Sequence, residues 1–174
     1  MITNVLLDHP VLAWLTYLVG AQICASVGYL LARWPAFGPR VAWVLSGVAM
    51  LPIGALTLVP TSRVVEQVCA VQFSVPSLAA VENVANIALF VPLALFATVA
   101  IRRPVVILAA GSGLSLMIEG MQALIPSIGR SCDTNDWLMN TIGVILGVLA
   151  AVAVIALAKA RNGTTGGPTV GREP

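Results

Sequence analysis

Five long apolar stretches dominate this chain and leave little choice for its fold. Each is close to the roughly 20 apolar residues that an α-helix needs to cross a bilayer. Because a helix satisfies its own backbone hydrogen bonds within lipid, the pattern predicts an all-α integral membrane protein with about five transmembrane helices. The stretches run from about Val11 to Ala32, Val41 to Val59, Val84 to Ile101, Val105 to Leu124 and Trp137 to Ala158.

The composition supports this prediction, because the chain has too few charges to cover a surface that faces water. Charged residues make up 9% of its 174 residues and the mean hydropathy is +0.97, whereas soluble domains carry about 25% charged residues. We expect one transmembrane domain over residues 1–160. We expect the Gly/Thr/Pro-rich tail at 161–174 to be disordered and cytoplasmic. The net charge of +2 is too small to indicate a nucleic-acid partner.

The basic residues predict how the helices are oriented in the cell membrane. With five spans, one side of the membrane receives seven basic residues and the other receives two. The positive-inside rule then predicts an outside N-terminus and an inside C-terminus. The inner set is Arg33, Arg40, Arg102, Arg103, Lys159, Arg161 and Arg172, and the outer set is Arg63 and Arg130.

Two of the three cysteines fall in loops on the predicted outer side. Cys69 and Cys132 would face an oxidising environment, where disulfides form and persist. We therefore predict a disulfide between them, which would hold the second outer loop against the loop that carries Arg130. Two free thiols or an intermolecular bond are the alternatives. No CxxC or Cys/His spacing suggests zinc, and we predict no metal site. Oxygen ligands from Glu119, Asp133 and Asp136 are the alternative, although their spacing is not diagnostic.

Polar residues concentrate at 118–143, in the segment IEGMQALIPSIGRSCDTNDWLMNTIG. Glu119 lies inside the fourth span, where a carboxylate needs a partner or water. Gln122 shares its helix face, and Arg130 is the nearest candidate for a counter-ion in the sequence. Glu119 could line a polar pocket that opens outward, or it could be a structural carboxylate that is protonated or ion-paired. Arg63 could anchor at lipid headgroups or join the same outer cluster.

The starts of the third and fifth helices carry similar polar patterns. Asp133 could cap the fifth helix or contribute to a site. Asp136 and Asn140 follow at i, i+4 spacing on one face, and Asn140 is deep enough to bond across helices instead of capping. Glu82 and Asn86 repeat that spacing at the start of the third helix. There, Glu82 could simply keep the helix start in contact with water, whereas Asn86 lies deeper and is a stronger candidate for the site.

Two runs of sequence together resemble the VanZ-like membrane protein family: ENVANIALFVPLALF at 82–96 and IEGMQALIPSIGRSCDTNDWLMNTIGVILG at 118–147. The shared pattern is an Asn-rich helix start with Phe-x-Pro, then Glu-x-x-Gln, then Arg, Asp and Asn with glycines. TLVPTSR at 57–63 and the cysteine pair resemble the actinobacterial branch, and the resemblance covers about 45–150. The matching residues are Asn86, Phe90, Pro92, Glu119, Gln122, Arg130, either Asp133 or Asp136, Asn140, Gly143 and Gly147. Spacing to Asn140 favours Asp136 as the motif acid.

The resemblance implies a multi-pass helical fold and a link to resistance against teicoplanin-type glycopeptide antibiotics, but it implies no mechanism. From the polar cluster we hypothesise binding of an amphiphile at the outer leaflet: a membrane lipid, a lipid-linked cell-wall precursor or a lipoglycopeptide. The alternative is a membrane enzyme that acts on a lipid or lipid phosphate through Glu119, Arg130 and Asp136. A structural or transport role is the third hypothesis. No cofactor is predicted, and the sequence leaves the oligomeric state open.

Overall fold

The computed structural model describes residues 10–61, 69–73 and 80–165. In these ranges the protein is all-helical, and five helices are long and apolar enough to cross a membrane, as predicted. They begin and end within a few residues of the predicted stretches, except at the C-terminal end of the last helix. The helices are α1 (Pro10–Arg33), α2 (Gly38–Leu58), α3 (Val81–Ile101), α4 (Pro104–Leu124) and α5 (Thr134–Thr165).

The C-terminal helix is longer than its apolar stretch. It continues to Thr165, so the first five residues of the tail that we expected to be disordered are helical. The rest of that tail, residues 166–174, lies outside the described residues. Pro52 and Pro92 lie inside α2 and α3, and both helices continue past them although proline removes a backbone hydrogen-bond donor.

The short connection between α3 and α4 follows from local backbone chemistry. The α3 helix ends where Arg102 adopts a left-handed conformation, with φ of 57°, and its amide donates to the Thr98 carbonyl oxygen at 2.8 Å. Pro104 then begins α4, which suits a residue with no amide hydrogen because the first helical amides have no partner within the helix. The joint is therefore only two residues long, and α3 and α4 run in opposite directions.

The α3 and α5 helices form the centre of the bundle and make its most extensive helix pair. Their contact depends on two glycines of α5. A Cβ atom on Gly143 would fall on the carbonyl oxygen of Ile87, and one on Gly147 would lie 2.5 Å from the carbonyl oxygen of Val91. The spacing of these glycines, a GxxxG, therefore brings the backbones of α3 and α5 into close contact. The largest side chains buried between the helices include Phe90, Leu95, Val99, Met139 and Val144.

The outer helices carry large apolar side chains on their exposed faces. Leu18 of α1, Val44 of α2 and Leu116 of α4 are all well exposed. In contrast, several polar residues are buried, among them Ser115, Glu119 and Asn140. This inversion of the usual pattern is what a lipid environment requires, since lipid accepts apolar surface and polar groups must find partners inside the protein.

The helix directions divide the polar residues between the two ends of the bundle. The end formed by residues 59–61, 69–73, 80–86 and 119–140 is called the disulfide end, because it contains Cys69 and Cys132. The opposite end, formed by residues 33–40, 102–104 and 158–165, is called the basic end. Among the described residues, all the acids lie at the disulfide end. The described basic residues all lie at the basic end except Arg130.

Candidate functional site

A short loop segment is fastened across the start of α5. The predicted disulfide between Cys69 and Cys132 is present, with Cα atoms 4.6 Å apart. Beside it, the Ala70 amide donates to the Cys132 carbonyl oxygen at 2.9 Å, and the Thr134 amide donates to the Ala70 carbonyl oxygen at 3.1 Å. Residues 69–73 are therefore held to the beginning of α5 by a covalent bond and by backbone pairing.

Two further side chains complete this attachment. Gln72 donates its amide hydrogen to Thr134 Oγ1 at 2.9 Å and its side-chain Nε2 hydrogen to Asp133 Oδ2 at 2.5 Å. The other carboxylate oxygen of Asp133 accepts a hydrogen bond from the Asn135 amide at 2.8 Å. Asp133 therefore caps α5, as one of its two interpretations predicted. No sequence signal pointed to Gln72, because a single loop glutamine has no distinctive spacing.

Removing the disulfide is expected to loosen this attachment without unfolding the bundle. We expect the double variant Cys69→Ser, Cys132→Ser to lose about 2 kcal/mol of unfolding free energy, the low end of the usual range for a disulfide, because the backbone pairing remains. Thermal unfolding in detergent, with and without reductant, measures this loss. Cys24→Ser is the matched control, since Cys24 is a free thiol in α1. Equal effects of reductant on the double variant and the wild type would contradict the prediction.

Glu119 is only 5% exposed and is bound by the start of α5. Its Oε2 atom accepts a hydrogen bond from the Asp133 amide at 2.9 Å. The positive end of a helix dipole favours a carboxylate in this position. Arg130 was the nearest candidate counter-ion in the sequence, but the structure shows no ion pair between Arg130 and Glu119. A backbone amide needs no long side chain to be ordered, so it serves Glu119 at lower entropic cost.

Gln122 connects a different pair of helices. Although it shares a face of α4 with Glu119, its Nε2 atom donates to the carbonyl oxygen of Thr57 in α2 at 3.0 Å. Just beyond α2, the Thr61 amide donates to the Ile128 carbonyl oxygen at 2.9 Å, and its hydroxyl donates to the Gly129 carbonyl oxygen at 2.6 Å. The end of α2 is thus attached both to α4 and to the loop that follows it.

The first turns of α5 are bound to α3 by side-chain amides. Asn86 donates from Nδ2 to Asp136 Oδ1 at 2.7 Å, and Asn135 donates from Nδ2 to Asn83 Oδ1 at 3.1 Å. Glu82 is exposed but lies within electrostatic reach of Asp136. The sequence pointed to Asn86 and Asp136 as candidates, but not to their direct bond, since the rotation of each helix decides it.

One helical turn beyond Asp136, α5 is bound to α4. Asn140 donates from Nδ2 to Ser115 Oγ at 3.0 Å, and the hydroxyls of Ser112 and Thr141 lie 3.1 Å apart. Asn140 therefore bonds across helices, as its depth suggested, while Asp136 on the same face contacts α3 instead. The Asn140 Oδ1 atom is buried without a hydrogen-bond partner. Serines inside apolar helices are common, so Ser112 and Ser115 gave no signal in the sequence.

Arg130 lies between two anchored points of the loop. Thr61 holds residues 128–129 on one side, and the disulfide and Glu119 hold residues 132–133 on the other. The residue is half-buried, and its side-chain Nε atom is buried without a hydrogen-bond partner. Arg63, the other predicted outer cation, lies outside the described residues.

Four carboxyl groups gather around this loop and the helix starts. Glu119 lies within electrostatic reach of Asp133 and Asp136, and Asp136 lies within reach of Glu82. Across the described ranges, no group of three His, Cys, Asp or Glu side chains is arranged to hold a metal ion. The arrangement thus offers hydrogen-bond acceptors from the acids and guanidinium donors from Arg130 at one end of the bundle.

Comparison with known proteins identifies one family. Residues 37–156 match the family model described as VanZ/LLP1. That range is more than half of the chain, and it includes α2, α3, α4 and most of α5, together with all the polar contacts described above. No curated protein and no solved structure matches the chain.

Proposed function

Since the chain belongs to the VanZ/LLP1 family, we propose that this multi-pass membrane protein of the cell envelope binds the headgroup of an amphiphile at its disulfide end. The ligand is a membrane lipid or a lipid-linked cell-wall precursor in the outer leaflet. Through that ligand, or by binding a lipoglycopeptide directly, the protein alters susceptibility to teicoplanin-type glycopeptides. The disulfide supports an outer location for this end, because such bonds persist outside the cytoplasm. The arginine-rich basic end then faces inward.

The environment of Arg130 is the single observation on which the proposal rests. Its backbone is held on both sides, and the buried Nε hydrogen has no acceptor in the protein. A buried donor without a partner is costly, so a ligand oxygen at this position would recover the lost hydrogen bond. A guanidinium presents several donors in a plane, which suits the oxygens of a phosphate or carboxylate.

The neighbouring acids restrict which headgroup fits. They repel a ligand that is purely anionic, but they accept hydrogen bonds from hydroxyl, amide or ammonium groups. Glu82 is exposed, and Asp136 is only partly buried, so both can be approached at the end of the bundle. A headgroup that joins a phosphate to a sugar, a peptide or an amine matches this combination. Lipid-linked cell-wall precursors have this chemistry.

The binding test measures the affinity of the purified protein in nanodiscs for a polyprenyl-diphosphate-linked sugar. We expect Arg130→Ala to weaken binding by roughly tenfold or more, because a charge-assisted hydrogen bond to phosphate is lost. Arg130→Lys should recover part of the affinity, since it restores the charge but not the planar donors. Arg102→Ala is the matched control, because Arg102 is an exposed arginine at the opposite end.

Two outcomes would count against binding as the function. Equal affinity of Arg130→Ala and wild type would remove Arg130 from the site. Turnover of the lipid during the titration, abolished by Asp136→Asn, would favour the enzymatic alternative instead. In cells, a strain that depends on this protein for teicoplanin tolerance should lose that tolerance with Arg130→Ala and keep it with Arg102→Ala.

A further inference from the structure

A second polar feature lies between α1 and α5, toward the basic end of the bundle. A groove of about 510 Å³ opens there, and its lining combines polar and apolar side chains. The α1 helix and Arg161 both fall outside the residues that the family model matches. The groove is therefore a feature of this chain that the family match does not describe. The polar lining residues are Gln22, Ser26, Tyr29 and Arg161, and the apolar ones include Val154 and Leu157.

Within that lining, the Tyr29 hydroxyl needs a hydrogen-bond partner. It is buried and has none, and leaving a buried hydroxyl unpaired is unfavourable. The two deeper polar side chains, Gln22 and Ser26, contact each other within α1. The Ser26 hydroxyl donates to the Gln22 carbonyl oxygen at 2.8 Å, and Gln22 Nε2 lies 3.4 Å from Ser26 Oγ. Tyr29 thus has an unused hydroxyl donor beside the groove, whereas the Ser26 hydroxyl is used within α1.

The charge around the groove favours an anion. Arg161 belongs to the lining, and Arg33 lies one helical turn beyond Tyr29 at the end of α1. No acid lies at the basic end within the described ranges, because the described acids are all at the disulfide end. Basic pockets between transmembrane helices are typical binding places for acidic lipid headgroups.

The groove also has the polarity gradient of an amphiphile. Arg161 lies near the end of α5, whereas Leu157 and Val154 lie one and two turns deeper in the membrane. A phosphate at the level of Arg161 would therefore place an acyl chain against apolar side chains. A free inorganic anion would leave this apolar part of the groove empty.

We propose that this groove binds one anionic phospholipid. Arg161 holds the phosphate, and the Tyr29 hydroxyl donates to a glycerol or ester oxygen of the same lipid. One acyl chain lies along Val154 and Leu157. The bound lipid connects α1 to α5, and so it stabilises the attachment of the N-terminal helix to the bundle.

The test uses the full chain, purified in a non-ionic detergent and stripped of lipid. Phosphatidylglycerol, phosphatidylcholine with the same acyl chains, and inorganic phosphate are titrated separately, while native mass spectrometry and the thermal unfolding midpoint are recorded. We expect phosphatidylglycerol to bind and to raise the unfolding temperature, and the other two to have little effect. Tyr29→Phe should weaken phosphatidylglycerol binding by roughly tenfold, and Arg161→Ala by at least as much.

Arg103→Ala is the matched control, because Arg103 is an exposed arginine at the basic end that does not line the groove. It should leave phosphatidylglycerol binding near that of the wild type. Three results would overturn the proposal: equal binding of phosphatidylglycerol and phosphatidylcholine, stabilisation by inorganic phosphate alone, or equal losses with Arg103→Ala and Arg161→Ala. Tyr29→Phe removes one oxygen atom and preserves packing, so a wild-type affinity for this variant would exclude the assigned hydrogen bond.

Discussion

Gly143→Ala is expected to lower the free energy of unfolding by about 3 kcal/mol, the upper part of the usual range for overpacking. The added Cβ atom would fall on the carbonyl oxygen of Ile87. That atom belongs to the helix backbone and cannot rotate away, so α3 would have to move from α5. Such a movement would also strain the bonds from Asn83 and Asn86 to the first turn of α5.

Gly113→Ala is the matched control for this substitution. It makes the same chemical change in another transmembrane helix, but no atom lies within 4 Å of the added Cβ. We expect it to be neutral or to stabilise by up to about 1 kcal/mol, because alanine favours the helix more than glycine does. Unfolding in detergent with increasing denaturant measures both variants. If the two variants were equally stable, the close contact between α3 and α5 would be disproved.

Glu119→Ala is expected to cost about 2 kcal/mol of unfolding free energy, because it leaves the partly buried Asp133 amide without its acceptor. That amide lies beside the disulfide and at the start of α5, so its loss should also loosen the loop that carries Arg130. Glu119→Gln should lose less than about 1 kcal/mol, since the side-chain oxygen can still accept the bond and the volume is preserved.

The comparison between these two variants separates the hydrogen bond from the charge. Glu82→Gln is the matched control, because Glu82 is an exposed acid at the same end of the bundle. We expect it to change stability by less than about 0.5 kcal/mol. Thermal unfolding, together with hydrogen exchange at the Asp133 amide, provides the measurement. If Glu119→Gln were as destabilising as Glu119→Ala, the negative charge of Glu119 would be the essential property, and the acceptor role would be wrong.

The two proposed lipid sites lie at opposite ends of the bundle, and each can be tested independently of the other. Arg130 is at the disulfide end, whereas Tyr29 and Arg161 line a groove toward the basic end. A variant at one end should therefore leave binding at the other end unchanged. Loss of phosphatidylglycerol binding in Arg161→Ala, with normal binding of the cell-wall precursor, would show that the outer site works without the inner lipid.

The number of helices and most of their bounds could be predicted from the sequence, because the length of an apolar stretch is a local property. The same holds for the disulfide. Once five spans were assigned, Cys69 and Cys132 had to lie on the same side of the membrane. The spacing of Gly143 and Gly147 is also a local pattern, and such a GxxxG is typical of close helix contacts. The end of α5 could not be predicted in this way, since its last residues are polar and their helical conformation is not encoded by hydropathy.

The partners of the polar residues were decided only by the tertiary structure. The sequence identified Glu119 as a group that needs a partner, but the nearest cation in the chain, Arg130, is not that partner. Asp136 and Asn140 share one face of α5 and still bond to different helices. Spacing defines which face a residue occupies. The rotation of each helix determines what that face meets, and the contact of Gly143 and Gly147 with α3 constrains it for α5.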